Sequence, residues 1–142
     1  MKVIGRRELI DLPEFGLQNI QAKIDTGAYG CAIHCHKMKV VEKEGKQVLQ
    51  FQLLDPSHPE YEDKNYHTAH FREKKVKNSG GFVEERFVIQ STVRIFQKEY
   101  KTEFSLTNRK RMKHPVLIGR KFLRKKFLVD VSLKNLSLKS SK

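Results

Sequence analysis

Alternation with a period of two constrains this chain more than any other feature. In Tyr100-Lys101-Thr102-Glu103-Phe104-Ser105-Leu106, apolar residues or Thr occupy every second position and charged or polar residues lie between them. That repeat places one set of side chains on each face of a strand, one face buried and one wet. The same rhythm recurs between turn signals. Residues 3–12 and 17–24 read as two strands joined through Pro13-Glu14-Phe15-Gly16, and residues 40–53 read as a hairpin about Glu44-Gly45-Lys46. The 55–60 segment, with Pro56 and Pro59, reads as a surface loop because neither proline can donate to a sheet. Residues 66–77 are extended and heavily charged and end at the turn Asn78-Ser79-Gly80-Gly81; residues 85–96 form one long bent strand or two. Near the end, Pro115-Val116-Leu117-Ile118 predicts a short buried strand, Gly119 a turn, and Arg120-Lys121-Phe122-Leu123 one helical turn. Strands of this number and spacing, with so little helix, predict a mostly β fold: a small barrel or sandwich. No internal repeat is visible.

The 142 residues suit one domain over 1–133, followed by a basic Lys/Ser-rich tail over 134–142. A hydrophobic content of 38% and nine Phe supply a core without metal or disulfide staples. Twenty-nine Lys and Arg against sixteen Asp and Glu leave a net charge of +13. Such a field favours anionic partners, namely nucleic acid, ribosome, anionic membrane or acidic polypeptide, and charge by itself does not choose among them. No apolar run approaches the roughly 18 residues of a membrane helix, and Met1 to Glu8 lack the apolar core of a signal peptide, so a cytoplasmic location is the expectation. The only cysteines, Cys31 and Cys35, would stand about 13 Å apart on an extended strand, too far to bridge, and are expected to be reduced.

Against this background Ile24-Asp25-Thr26-Gly27-Ala28 carries chemistry. A strand ending at Ile24 puts Asp25 where sheet gives way to loop; Gly27 lets the loop turn with its N–H near the carboxylate, and Thr26 can turn inward and lock it by a hydrogen bond. Pepsin-type and retroviral-type proteases present a catalytic carboxylate in this way, although Asp-Thr-Gly also occurs in ordinary strand-to-turn exits. Their chemistry needs two carboxylates sharing a proton, one to activate water and one to polarise the scissile carbonyl. A second signal follows roughly ninety residues later. Val116-Leu117-Ile118-Gly119-Arg120 and Leu123 resemble the retroviral apolar pair with Gly-Arg-x-x-Leu, whose strand lies beside the Asp-Thr-Gly loop.

A closer resemblance covers most of the chain, from about Gly5 to Val131. It rests on Lys23 to Ala28 continuing to Ala32-Ile33-His34, on Asn78-Ser79-Gly80-Gly81 with Glu85-Arg86-Phe87-Val88-Ile89, on Leu106-Thr107-Asn108-Arg109 through Met112 to Leu117-Ile118-Gly119-Arg120, and on Phe127-Leu128-Val129-Asp130. These resemble the RimB-like family, small bacterial retropepsin-like proteins associated with ATP-grasp glutamate ligases and often labelled ATP-dependent zinc proteases. The resemblance implies a closed barrel of the acid-protease type with one short C-terminal helix. It also implies a peptidase acting on glutamate-rich or glutamylated polypeptide, such as a tail on a ribosomal protein. Asp25, Thr26 and Gly27 would form the catalytic loop, and Lys23, Arg86, Arg120 and His34 would contact substrate. If retroviral practice holds, a homodimer brings two Asp25 together; a monomer needs another acid, for which Asp130 is the candidate.

Several residues pull against a simple copy of the retroviral enzyme. Where those enzymes carry an acid that pairs with the later arginine, this chain has Tyr29, Gly30 and Cys31. Arg120 therefore either finds another carboxylate such as Asp130 or faces the cleft and binds a substrate carboxylate bidentately. Lys23 shares a strand face with Asp25, which would favour the charged carboxylate and an optimum nearer neutral pH, unless its ammonium reaches solvent. Zinc is not favoured: in an extended strand Cys31 and Cys35 face away from His34 and His36, leaving at best His34 and His36 with His67 or His70. No phosphate-cradling loop or Walker lysine is present, so ATP binding is not expected. The rival reading is a non-catalytic basic module for RNA, ribosome or an acidic protein, built on the basic runs 72–77, 109–114 and 120–126.

Overall fold

The computed structural model describes residues 1–77, 80–107 and 113–137. Asn78 and Ser79 of the predicted turn, residues 108–112 of the middle basic run and of the family resemblance, and the last five residues of the tail lie outside the described residues. In chain order the strands are β1 (Lys2–Ile4), β2 (Arg7–Leu12), β3 (Leu17–Asp25), β4 (Cys31–Lys43), β5 (Lys46–Leu53), β6 (Tyr66–Thr68), β7 (Phe71–Lys77), β8 (Val83–Ile95), β9 (Lys98–Thr107), β10 (Val116–Gly119) and β11 (Phe127–Val129). A 3-10 turn, Pro13–Phe15, links β2 to β3, and one short helix, α1 (Arg120–Leu123), follows β10.

Six strands close on themselves in the order β10-β3-β2-β8-β9-β4, with β4 pairing back to β10. Closure removes the free edges that alternating strands would otherwise expose. Two of the contacts, β3 with β10 and β4 with β9, are parallel, and the other ring contacts are antiparallel. Outside the ring, β5 and β6 extend from β4, and β7 pairs with the first half of β8. The stretch expected as one or two strands near 85–96 is a single strand, β8.

The stretch expected as one strand over 3–12 is two. A Cβ at Gly5 would lie 2.6 Å from the carbonyl oxygen of Leu133, so the backbone there is pressed against the C-terminal segment and β1 turns away to pair with β11 in a separate parallel ladder. Alternation could not reveal this, because the partner that breaks the strand is about 130 residues distant.

Alternate residues fill the barrel: Ile10 and Leu12 from β2, Ile20, Ala22 and Ile24 from β3, Phe104 and Leu106 from β9, Val116 and Ile118 from β10. Each large side chain contributes about 2–3 kcal/mol of transfer free energy. Phe15, Phe51 and Tyr66 pack edge-on and stacked at one side; Tyr100, Phe122 and Phe127 do so beneath α1. Both cysteines are buried and unpaired, and burial pushes the Cys35 thiol up to about 12.

One inward residue of β2 is a carboxylate. Glu8 is fully buried and accepts the Gly5 N–H at 2.8 Å and the Ser137 N–H at 2.8 Å. The Ser137 hydroxyl donates to the Leu9 carbonyl, and the Asn135 N–H donates to that of Arg7. Packed structure thus continues to Ser137, into the segment read as a tail. Glu8→Ala would strand two buried donors, each costing about 1–3 kcal/mol. The expected result is a chemical-denaturation midpoint lowered by the equivalent of roughly 3 kcal/mol at unchanged slope; a loss below about 0.5 kcal/mol would show that Glu8 does not clasp the two ends.

Candidate functional site

β10 sets the site. It lies between β3 and β4, parallel to the first with Ile118 opposite Ile24 and Gly119 opposite Asp25, and antiparallel to the second with Leu117 opposite Ala32. The 25–31 loop joining β3 to β4 must therefore pass over the end of β10, where Gly119 admits it. A Cβ there would lie 2.3 Å from the Gly30 carbonyl oxygen and 2.7 Å from that of Tyr29, inside any tolerable contact.

Two sets of bonds fix this loop. From within, Asp25 Oδ1 accepts the N–H of Gly27 at 2.9 Å and of Ala28 at 3.2 Å. From α1, the Arg120 and Lys121 N–H groups donate to the Ala28 and Tyr29 carbonyls at 2.9 Å, and Arg120 Nη1 donates to the Gly27 carbonyl at 3.1 Å. The Arg120 guanidinium also sits 5.5 Å from the Tyr29 ring centroid, a cation–π contact. Arg120 is accordingly a positioning residue for the Asp25 loop, and Tyr29 takes the place of the missing acid. Of the two alternatives for Arg120, the pair with Asp130 does not form. Asp130 instead accepts the Ser132 N–H at 2.9 Å and hydroxyl at 2.6 Å, contacts that hold its carboxyl below the usual range, the hydroxyl foremost.

Asp25 is half-buried, and Thr26 and Gly27 are exposed. Contrary to the expectation from sequence, Thr26 does not turn inward to lock the loop; backbone N–H groups and Arg120 do so. Among the described residues, no second carboxylate bonds to Asp25. Lys23 is exposed on the strand face it shares with Asp25, and Arg86 is half-buried on β8 opposite Lys74.

His34 lies elsewhere, buried in the barrel wall, with Nε2 2.5 Å from Asp55 Oδ2. Its backbone N–H bonds to Pro115, and its carbonyl accepts the Leu54 N–H. Of the histidines named with it as possible ligands, His36 is exposed and packs edge-on against Tyr61, and His67 bonds Gln50; His58 instead approaches the pair, its N–H donating to the Asp55 carbonyl at 2.9 Å. Among the described residues no three His, Cys, Asp or Glu side chains are grouped to hold a metal.

Asp55 is held at about 2, below its ordinary 3.8, foremost by the Ser57 hydroxyl and also by the Ser57 N–H and His34, against burial acting the other way. A folded value below the unfolded one stabilises at pH above the unfolded value and is lost as pH falls through the folded one. Stability should therefore decline between about pH 4 and pH 2 by on the order of 1–2 kcal/mol through this group. Thermal melts across that range should show a shallower decline in Asp55→Asn; an identical slope would remove Asp55 as the cause.

Beside the Asp25 loop opens a cleft of about 460 Å³ between Tyr29-Gly30-Cys31, α1 with the turn after it, and the sheet face of β7, β8 and β9. Sequence reasoning marked the basic runs 72–77 and 120–126 but missed Lys101 and Glu103, which share one face of β9 with Ser105. The signal lies in the alternation of β9, which puts Lys101, Glu103 and Ser105 together on its wet face.

A closed six-stranded barrel that presents Asp-Thr-Gly at the end of one strand, braced by Gly-Arg and a helical turn after its parallel neighbour, defines a retropepsin-like module. Residues 3–140 match the RimB-like family, described as retropepsin-like aspartic endopeptidase RimB, and the chain belongs to that family. The chain is 29% identical over 136 residues to a probable alpha-L-glutamate ligase of Desulfotalea psychrophila, covering 93% of this chain and 28% of that protein. It is 30% identical over 134 residues to proteins of the same description from Shewanella halifaxensis and Shewanella pealeana, covering 92% of this chain and 28% of each. It thus spans just over a quarter of the length of these relatives. The crystal structure of Legionella pneumophila Lpg0085, a protein of unknown function, superimposes with a TM-score of 0.74 at 26% identity, over 96% of this chain and 98% of that one.

Proposed function

We propose that this chain is an aspartic-type peptidase acting on glutamate-rich or glutamylated polypeptide, with Asp25 as its central carboxylate. The observation that carries the reading is the clamp on Asp25. Two backbone N–H groups hold Oδ1 while Oδ2 takes no hydrogen bond from the described residues, which suits a group that must receive a proton from water. The kinship with probable glutamate ligases and the +13 charge support an acidic substrate, a glutamylated ribosomal protein among them. Lys23, exposed on the face of Asp25, would receive one of its carboxylates.

The second carboxylate is proposed to be Asp25 of a second copy. The strand carrying Asp25 is bonded to the N-terminal turn, Ile24 N–H to the Arg6 carbonyl, and the adjoining β1–β11 ladder exposes Val3 and Leu128 opposite each other, with Val131 and Leu133 following. Apolar side chains exposed together in this way support association. In the homodimer, one carboxylate accepts the proton of the attacking water and its protonated counterpart polarises the scissile carbonyl.

The test incubates purified protein with an oligoglutamate-tailed peptide, with and without chelator, and identifies products by mass spectrometry; sedimentation measures assembly. Expected are cleavage insensitive to chelator and a dimer weakened by Leu128→Glu. Absence of cleavage would shift the reading to a non-catalytic basic module.

A further inference from the structure

We infer that the cleft beside the Asp25 loop is an extended-anion site in which the chain's own Glu103 takes the place of one ligand carboxylate. Among the described residues five cations, Arg72, Lys74, Lys101, Lys121 and Lys126, line it with this single carboxylate. Arg72 grips Glu103 through two bonds, Nε at 3.3 Å and Nη2 at 3.2 Å, and Lys121 Nζ lies 3.8 Å from it. Those contacts, the Arg72 bonds foremost, hold Glu103 below the usual carboxylate range, with Lys74 adding to them. Glu103 thus stands where a ligand carboxylate would, and the remaining positive charge is not neutralised within the cleft.

The spacing points to an extended peptide. Arg72 and Lys74 are two residues apart on β7, as are Lys101 and Glu103 on β9, so charged groups repeat at about 6–7 Å. Side chains on one face of an extended acidic peptide repeat at the same interval. A single-stranded nucleic acid would want open aromatic faces for its bases. Here Phe122 is buried under Lys126, and the one exposed ring among the described lining residues, Tyr29, already carries the Arg120 and Lys121 cations, so the cleft offers no series of rings on which successive bases could stack. A ligand with one carboxylate gains only what Glu103 already supplies; a run of carboxylates displaces Glu103 and also meets Lys74, Lys101 and Lys126. Glu103 therefore sets a threshold favouring polyanionic peptides over monoanions. The inference takes its ligand chemistry from the function proposed above.

The test measures fluorescence anisotropy of labelled linear hexaglutamate with Asp25→Asn protein, so that binding is read without cleavage. Removing the internal competitor by Glu103→Gln should tighten binding about threefold and raise affinity for a single glutamate more than for the hexamer. Lys101→Ala with Lys121→Ala should weaken hexaglutamate binding about tenfold, and the loss should shrink at high salt. Unchanged affinity in the double lysine variant, weaker binding in Glu103→Gln, or displacement of the peptide by far lower concentrations of oligothymidylate would overturn the inference. Wild-type protein that binds through these lysines yet cleaves nothing would refute the peptidase reading alone. Asp25-dependent cleavage with binding indifferent to the lysines would refute this inference alone.

Discussion

Asp25→Asn is expected to lower kcat/KM for an oligoglutamate-tailed peptide by about 10⁴-fold or more, leaving the barrel folded and the cleft able to bind. Asparagine keeps the shape of the side chain and a carbonyl oxygen, so the Gly27 and Ala28 N–H groups retain their acceptor. What disappears is an oxygen able to take a proton from water, and in a homodimer both copies lose it at once. The comparison is between steady-state rates and a thermal melt on the same preparations. Residual cleavage within tenfold of wild type, with the melting temperature unchanged, would place the chemistry on another group and leave Asp25 as a turn residue.

Gly119→Ala should damage stability and rate together. The added methyl meets the Gly30 and Tyr29 carbonyl oxygens, which are backbone atoms and cannot rotate aside as a side chain would. Either β10 withdraws from its pairing with Asp25 and Ala32, or the 25–31 loop lifts and loosens the Arg120 bond to Gly27. Overpacking of this kind costs about 3 kcal/mol, and a shift near 1 Å at the reacting carboxylate costs about 10²-fold in rate. Denaturant melts and kinetics at a temperature where the variant remains folded would separate the two effects. A variant as stable and as active as wild type would mean that the loop is not seated on β10 as described. Alanine at Gly27 meets only the Asp25 carboxylate, at 3.3 Å, and should be milder in stability.

Much of the barrel was readable in advance because a strand with one buried face writes its period into the chain. The run from Tyr100 to Leu106 alternates as β9 does, and the prolines at 56 and 59 marked the loop between β5 and β6. The candidate site was readable to the extent that local chemistry makes it. Asp25 at a strand end, with Gly27 placing its N–H on the carboxylate, follows from three adjacent residues. Arg120 was legible as a residue needing a partner, but its partner was not. The Gly27 carbonyl and the Tyr29 ring are chosen by the crossing of β10 beneath the loop, which pattern cannot express. His34 was similarly undetermined: its buried pairing with Asp55 depends on where a loop 21 residues away folds back.

Composition, alternation and two short motifs were therefore enough to determine a mostly β architecture, barrel or sandwich, a basic surface and a carboxylate at the head of a tight loop, because each depends on neighbours in sequence or on a sum over the chain. Tertiary structure alone decided that β1 leaves for β11 at Gly5, that Glu8 clasps the two ends of the chain, that Arg120 braces the loop from α1, and that Glu103 sits among the cations of three separate elements. Each of these arises from contacts between residues that only barrel closure brings together. Sequence spacing carries no record of such contacts.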